Sequence, residues 1–410
     1  MVSSTRRQVM EGGLSAGAAS VAKPLAGAAT YDVAVVGAGV FGTWTAWRLQ
    51  QAGKRVALID AWGPAHARAS SGGESRLTRT AYGADEVYSR WAWESLKDWK
   101  RLSAEAGLPL FHETGVLFFF GREEPYVRQT LEVHRRLKLP TETLDRAEMA
   151  RRFPQIDFSG VEIGIYEPRL GALMARRAVQ TLKERFVRGG GTYLQAAVLP
   201  PPEGAALTAI ETTAGSVAAG QFCFACGPWL PKLFPGLLAG RIFPTRQEVF
   251  FFAPKAGDRR FEPGRLPGWA DFNEGDIFYG FPDLEARGFK IAHDQHGPPM
   301  DPDTGDRTPS PAALAEARAY MRRRFPALAK RPLNEARVCQ YENSSNGDFL
   351  IDRHPRWSNV VLLGAGSGHG FKHGPAVGSA AAGLLLDPSR PAEARFSLAT
   401  KAVRQDRAVH

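Results

Sequence analysis

The stretch 31–60, YDVAVVGAGVFGTWTAWRLQQAGKRVALID, constrains this chain more than any other. An apolar run at 32–36 reads as a buried parallel strand and leads directly into Gly37, Gly39 and Gly42, spaced G-x-G-x-x-G. An amphipathic stretch at 40–51, then Gly53, a second apolar strand at 55–59 and the acidic Asp60 complete a β-α-β unit. The residue types match one chemistry. Gly37 permits a sharp turn, Gly39 lets backbone N–H groups approach a pyrophosphate, and Gly42 lets the helix lie close to the strand. The positive end of that helix faces the phosphates, and Asp60 is placed to accept from a ribose 2′-OH. The unit predicts an adenine dinucleotide but does not separate FAD from NAD.

With 410 residues and 44% hydrophobic content, the chain can bury the cores of two substantial domains. No run approaches the length of apolar sequence that crosses a bilayer. The net charge of +10 comes from scattered residues without a nucleic-acid motif, and the triplet Arg322, Arg323, Arg324 reads as a solvated helix face. The excess implies at most a pull toward anionic substrates. Three cysteines supply no disulfide framework. Cys223 and Cys226 form a C-x-x-C at the end of an apolar run, where two small buried residues closing a strand explain them better than redox or zinc chemistry. No metal site is expected.

The amino terminus is separate from the fold. Arg6 and Arg7 sit in a twin-arginine pattern, a small-residue tract follows at 12–22, and Ala26-Gly27-Ala28 offers an A-x-A cleavage site. This predicts a leader over 1–28 that exports the folded protein to the periplasm; without it the protein stays cytoplasmic.

Beyond Asp60, a polar Gly/Ser-rich loop at 62–74 precedes a helix at 87–102, whose Trp91, Leu96 and Trp99 have core spacing. A strand at 114–120 and helices at 126–137 and 146–153 break the β-α-β rhythm. The rhythm returns with a helix at 173–187, a strand at 192–198, a hairpin at 206–218 and a strand at 221–225. Alternating strands follow at 246–252, 276–281 and 288–293, then a helix at 312–324 and a strand at 336–341. The strand at 360–363 runs into a second Gly-rich turn at 364–370 and a small-residue helix at 375–386. The pattern predicts an α/β protein with two domains, both discontinuous in sequence. A Rossmann-type dinucleotide-binding domain comes from 30–85, 167–243 and 345–400. A substrate domain of α+β type, with a large and mostly antiparallel sheet, comes from 86–166 and 244–344.

Seven pieces in this order resemble the FAD-dependent D-amino-acid oxidase superfamily, and within it the monomeric sarcosine oxidase and N-methyl-amino-acid oxidase branch. They are VVGAGVFG, SRLTRTAYG, TGVLFF, ACGPW, YGFP with GFK, VCQY with FLIDRHP, and GSGHGFK, and they cover the chain from Tyr31 to about Asp387. The resemblance implies FAD, contacted by Gly37, Gly39, Val40, Phe41, Gly42, Asp60, Ser70, Arg76, Val198, Gly366, Gly368, Gly370, Phe371 and Lys372. It makes Cys339 the residue for a covalent thioether to the flavin. It makes Lys290 the cation that assists reaction with oxygen, and Arg79 with Lys372 the pair that holds a substrate carboxylate. Tyr279 and Tyr341 match tyrosines lining the substrate cavity, and the closing helix is expected to aim its N-terminus at the flavin ring. Two places depart from the family. Asp294 stands where a histidine is often found, between His293 and His296, and the stretch 342–347 (ENSSNG) differs from the reference enzymes.

The implied activity is oxidation of the C–N bond of a small secondary or N-methyl amine bearing a carboxylate, with hydride passing to flavin N5, hydrolysis of the imine, and reduction of O2 to H2O2. One alternative is a dehydrogenase of the same superfamily that passes electrons to a quinone or carrier. Another is a non-catalytic dinucleotide-binding module. The expected partners are a small-molecule amine and an electron acceptor, with no nucleic acid and a monomeric chain.

Overall fold

A computed structural model of the chain describes residues 31–202, 207–272, 276–295 and 297–403. The leader expected over 1–28 and His296 lie outside the described residues.

The strand Tyr31–Val36 lies inside a seven-stranded sheet, with Val33, Ala34 and Val35 almost fully buried as a two-sided apolar strand requires. It pairs in parallel with Val56–Asp60 on one side and with Gly215–Phe224 on the other. The sheet continues outward through Val360–Gly364 to Leu350–Arg353, and in the other direction to Thr192–Gln195; Ala209–Thr212 folds back on Gly215–Phe224. Chain connections leave Tyr31–Val36 toward one side and return on the other, so a crevice opens beyond its carboxyl end. The helices Val40–Gln51 and Gly374–Leu386 cover one face together. Gly378 permits their close approach, since a Cβ there would stand 2.7 Å from the Trp44 Cβ.

The second sheet has eight strands in the order Leu333–Ser344, Ile242–Phe252, Phe289–Asp294, Ile277–Phe281, Gly268–Asp271, Val116–Phe120, Ile163–Glu167, Glu142–Asp145. All neighbours are antiparallel except Gly268–Asp271 with Val116–Phe120. The helix Pro311–Arg324 packs against this sheet and corrects one expectation. Arg322 and Arg323 are exposed, but Arg324 is buried, with Nε donating to Asp271 Oδ2 at 2.9 Å beside Tyr320 Oη, which donates to the same atom at 2.8 Å. Successive helix positions are rotated by 100°, and the third of the run falls on the side that packs against the sheet.

A third, small sheet joins Ser75–Leu77, Ala172–Met174 and Phe111–His112. Its pairing delays the helix expected from 173, which begins at Ala175. The strand expected over 192–198 ends at Gln195, and Val198 makes only an isolated bridge to Thr212. The closing helix begins at Gly374 after a 3-10 turn at Phe371–His373, so that turn, and not the helix N-terminus itself, borders the cleft.

Candidate active site

Beyond the carboxyl ends of Tyr31–Val36 and Gly215–Phe224 lies a cleft of about 390 Å³. The first Gly-rich turn forms one wall. Gly37 has φ +104°, and a Cβ there would stand 2.3 Å from the Ala225 carbonyl oxygen; a Cβ on Gly42 would lie 1.9 Å from the Gly37 oxygen. Gly39 differs, for its open side meets only Ser71 Oγ at 3.7 Å and faces the cleft. Val40 and Phe41 begin the helix at the same wall. Asp60 is locked at the end of its strand: Oδ2 accepts from Ala38 N at 2.8 Å, and Oδ1 from Trp62 N at 2.9 Å and Gly63 N at 2.8 Å. Ser70, Val198, Gly366, Gly368, Gly370 and Phe371 also line it.

A smaller cavity of about 90 Å³ adjoins this cleft, and Arg76, Tyr341, Gly368 and Phe371 face both. The strand Leu333–Ser344 supplies the partition. Its alternation turns Gln340 and Glu342 toward the cleft and Cys339 and Asn343 toward the smaller cavity, with Tyr341 reaching both. Arg76 Nη2 donates to Ser70 O at 2.6 Å and to Cys339 Sγ at 3.4 Å. Burial opposes its charge, but the neighbouring Cys339, Tyr279 and Tyr341 hold the guanidinium above its ordinary value.

Arg79 and Lys372, remote in sequence, meet in the smaller cavity over one ring: their cationic groups lie 3.8 and 5.1 Å from the Tyr82 centroid. Arg79 is 8% exposed and donates to Ala81 O; Lys372 is 4% exposed and donates to His369 O at 2.7 Å. Burial and then the Arg79 charge hold the Lys372 ammonium well below its usual range. Two buried cations beside an open cavity form a site for an anion. Tyr279 and Tyr341 both line it, and Tyr341 hydrogen-bonds to Tyr279 and to Asp294. Burial pushes Tyr279 up to about 12 and Tyr341 well above 10, so both are neutral phenols.

Lys290 lies on the strand Phe289–Asp294. It is 1% exposed and lines neither cavity, lying behind the Arg76 strand with Nζ donating to Ser75 O at 2.9 Å and Ser75 Oγ at 3.2 Å. The Phe251 and Phe281 rings flank it at 5.7 and 5.0 Å. Burial and the Arg76 charge hold its ammonium well below the usual lysine range.

Residues 32–384 match the family described as FAD dependent oxidoreductase. The chain belongs to that family. This flavoprotein is 32% identical over 362 residues to monomeric sarcosine oxidase of Bacillus sp. (strain B-0618), covering 87% of this chain and 92% of that one. It is 28% identical over 375 residues to N-methyl-L-tryptophan oxidase of Yersinia pestis (strain Pestoides F), covering 90% and 99%. Its fold is shared with L-proline dehydrogenase from P. horikoshii, with a TM-score of 0.78 at 21% identity over 90% of this chain and 97% of the other.

The cleft of this flavoprotein fits its cofactor. The bare side of Gly39 at a helix N-terminus suits a pyrophosphate, and Asp60 Oδ2, which among the described residues accepts only from Ala38 N, keeps a lone pair for a ribose hydroxyl. Ser70 Oγ is buried at the cleft with no hydrogen-bond partner among the described residues, as a ligand contact would leave it.

Sequence reasoning missed the groups that hold these side chains in place. Tyr82 Oη sits 2.8 Å from His373 Nε2 and 3.2 Å from His369 Nδ1, which fixes the ring beneath both cations. Glu167, fully buried, accepts from Thr80 N at 2.9 Å and from the Thr80 hydroxyl, next to Arg79. Tyr82 lies within the motif SRLTRTAYG, and His369 and His373 lie at the second Gly-rich turn, so their positions were visible but their pairing was not. Among the described residues no cluster of His, Cys, Asp or Glu suits a metal, and no helix is long and apolar enough to cross a membrane.

Proposed function

We propose that this flavoprotein oxidises the C–N bond of a small secondary or N-methyl amine carrying a carboxylate, a sarcosine-like amino acid. The observation that carries the reading is the convergence of Arg79 and Lys372 in a cavity sharing a wall with the dinucleotide cleft. Arg79 chelates the carboxylate in a bidentate pair and Lys372 adds a point charge, which fixes the carbon beside nitrogen against the wall formed by Arg76, Tyr341 and Phe371. Tyr279 and Tyr341, as neutral phenols, close the side of the cavity and orient the amine. FAD, when bound, supplies the two-electron acceptor. The C–H beside nitrogen leaves with its electron pair, and the resulting imine is hydrolysed to an amine and a carbonyl compound. Oxygen takes up two electrons and two protons to become H2O2. No acid or base is needed for the C–H step when the amine binds neutral.

Lys290, hydrogen-bonded to Ser75 O and Oγ, is proposed as the cation that favours negative charge developing on oxygen, a role its ammonium plays while it is protonated. Cys339, whose sulfur accepts from Arg76, is proposed as the covalent attachment point for the flavin. If so, yellow colour stays with the polypeptide after acid denaturation, and Cys339→Ser releases it to the supernatant. The segments 30–85, 167–243 and 345–400 are proposed to act as the FAD-binding domain, and 86–166 and 244–344 as the substrate domain. The chain is proposed to act as a monomer, exported folded through its twin-arginine leader.

The test is an amine panel mixed with the enzyme without oxygen, followed by the flavin absorbance. Sarcosine and other N-methyl amino acids are expected to bleach it, and the same amines without a carboxylate are not. Bleaching by the latter alone contradicts the reading. Admission of air then distinguishes an oxidase, which yields peroxide with each turnover, from a dehydrogenase, which does not.

A further inference from the structure

Glu342 lines the dinucleotide cleft, and nothing in the proposed reaction uses it. It lies on the cleft side of Leu333–Ser344, is 6% exposed, and is wedged against backbone: a Cβ on Gly364 would stand 2.4 Å from Glu342 Oε1. The amides of Ala365 and Gly366 hydrogen-bond to the carboxyl, and Ser367 N donates to the Glu342 carbonyl oxygen at 2.9 Å. The turn that aims these amides holds Ala365 at φ 56° and Ser367 at φ 44°, left-handed conformations costing non-glycine residues about 1 kcal/mol each. Oε1 itself is buried with no partner among the described residues.

A buried carboxylate oxygen without a donor is costly, and a bound dinucleotide brings its own phosphate charge into the same cleft. We propose that Glu342 is a cofactor-binding group that carries a proton on Oε1 and donates it as a hydrogen bond to an oxygen of the bound dinucleotide.

The proton's availability sets a pH dependence. Burial pushes free Glu342 up to about 7, and a neighbouring anion raises it further in the complex. FAD affinity is therefore full below about pH 7, and above it falls by up to about tenfold per pH unit until the value in the complex is reached. Several other groups facing the cleft keep their charge across pH 7 to 9. Burial holds His66 below its usual value, and therefore neutral, and keeps Cys226 and Tyr341 well above theirs. Asp303 is held low by Lys232 and Trp229 despite burial, while Arg76 and Lys232 are raised. Asp60 also faces the cleft.

The experiment uses flavin-free protein on a Cys339→Ser background, so that binding is reversible, with FAD titrated by quenching of its fluorescence at pH 7 and pH 9. The dissociation constant is expected to rise about tenfold or more in this parent and less than about threefold in Glu342→Gln, which stays neutral at both pH values. An equal rise in both proteins, or no rise in the parent, overturns the proposal. Calorimetry of the parent alone at pH 8, in two buffers of different ionisation enthalpy, gives a second reading that does not depend on the variant. Uptake of about one proton per FAD is expected, and uptake near zero overturns the proposal.

Discussion

The side chains that define the site are buried cations, and their burial makes their charge conditional. Lys372 carries the clearest consequence. Burial and the Arg79 guanidinium depress its pKa, so its ammonium is fully present at low pH and is lost as pH rises through a value below the usual 10.5. A substrate carboxylate stays anionic throughout. The affinity for methoxyacetate, an unreactive carboxylate of sarcosine's length, should therefore fall on the alkaline side earlier than an ordinary lysine allows. Lys372→Arg, always charged, should remove that alkaline limb. A flavin-absorbance titration of methoxyacetate across pH 7 to 10 measures both. At this scale the sequence identified Arg76, Arg79, Lys372, Tyr279, Tyr341 and Cys339 through motifs whose neighbours fix them, and the structure brings all six to one cavity. It flagged Glu342 only as the first residue of a stretch that departs from the family and gave it no role, although the alternation of VCQYE on one strand points Glu342 and Cys339 to opposite faces. It gave no sign that Lys290 would bond to Ser75, because a strand's period tells which face a side chain occupies but not what a third sheet of two- and three-residue strands places in front of it.

Among the elements, the first strand-turn-helix is the least tolerant. Gly37 combines φ +104° with a backbone oxygen 2.3 Å from where a Cβ would stand, so Gly37→Ala must move either the turn or Ala225. A loss of more than about 2 kcal/mol of stability is expected, with weakened FAD uptake, and chemical denaturation of the flavin-free protein measures it. The second sheet depends on a different feature. Arg324 and Asp271 are 3% and 1% exposed at their side chains and pair at 2.9 Å, so Asp271→Asn leaves a buried guanidinium without its counter-charge. A cost of about 3 kcal/mol is expected in the same denaturation assay. Long periodic elements such as Val40–Gln51 and Pro311–Arg324 were legible to within a residue. The strands Ser75–Leu77, Phe111–His112 and Ala172–Met174 were not, since two or three residues carry no periodic signal and exist only because tertiary pairing selects them.

Across the whole molecule, Leu333–Ser344, an edge strand of the eight-stranded sheet, lies against the second Gly-rich turn, and the chemistry sits there. Strands of the seven-stranded sheet come from three separated stretches of chain, which is why the two Gly-rich turns, distant in sequence, border one cleft. The same return of the chain carries Lys372 to Arg79 over the Tyr82 ring. The most direct test of this convergence is the rate of flavin reduction by sarcosine without oxygen, compared between the parent and Arg79→Met with their flavin spectra otherwise alike. Removing one of two buried anchors for a carboxylate should lower the rate constant divided by the dissociation constant at least about thirtyfold. A value within threefold of the parent would mean that the buried cations do not hold the substrate, and would contradict the account.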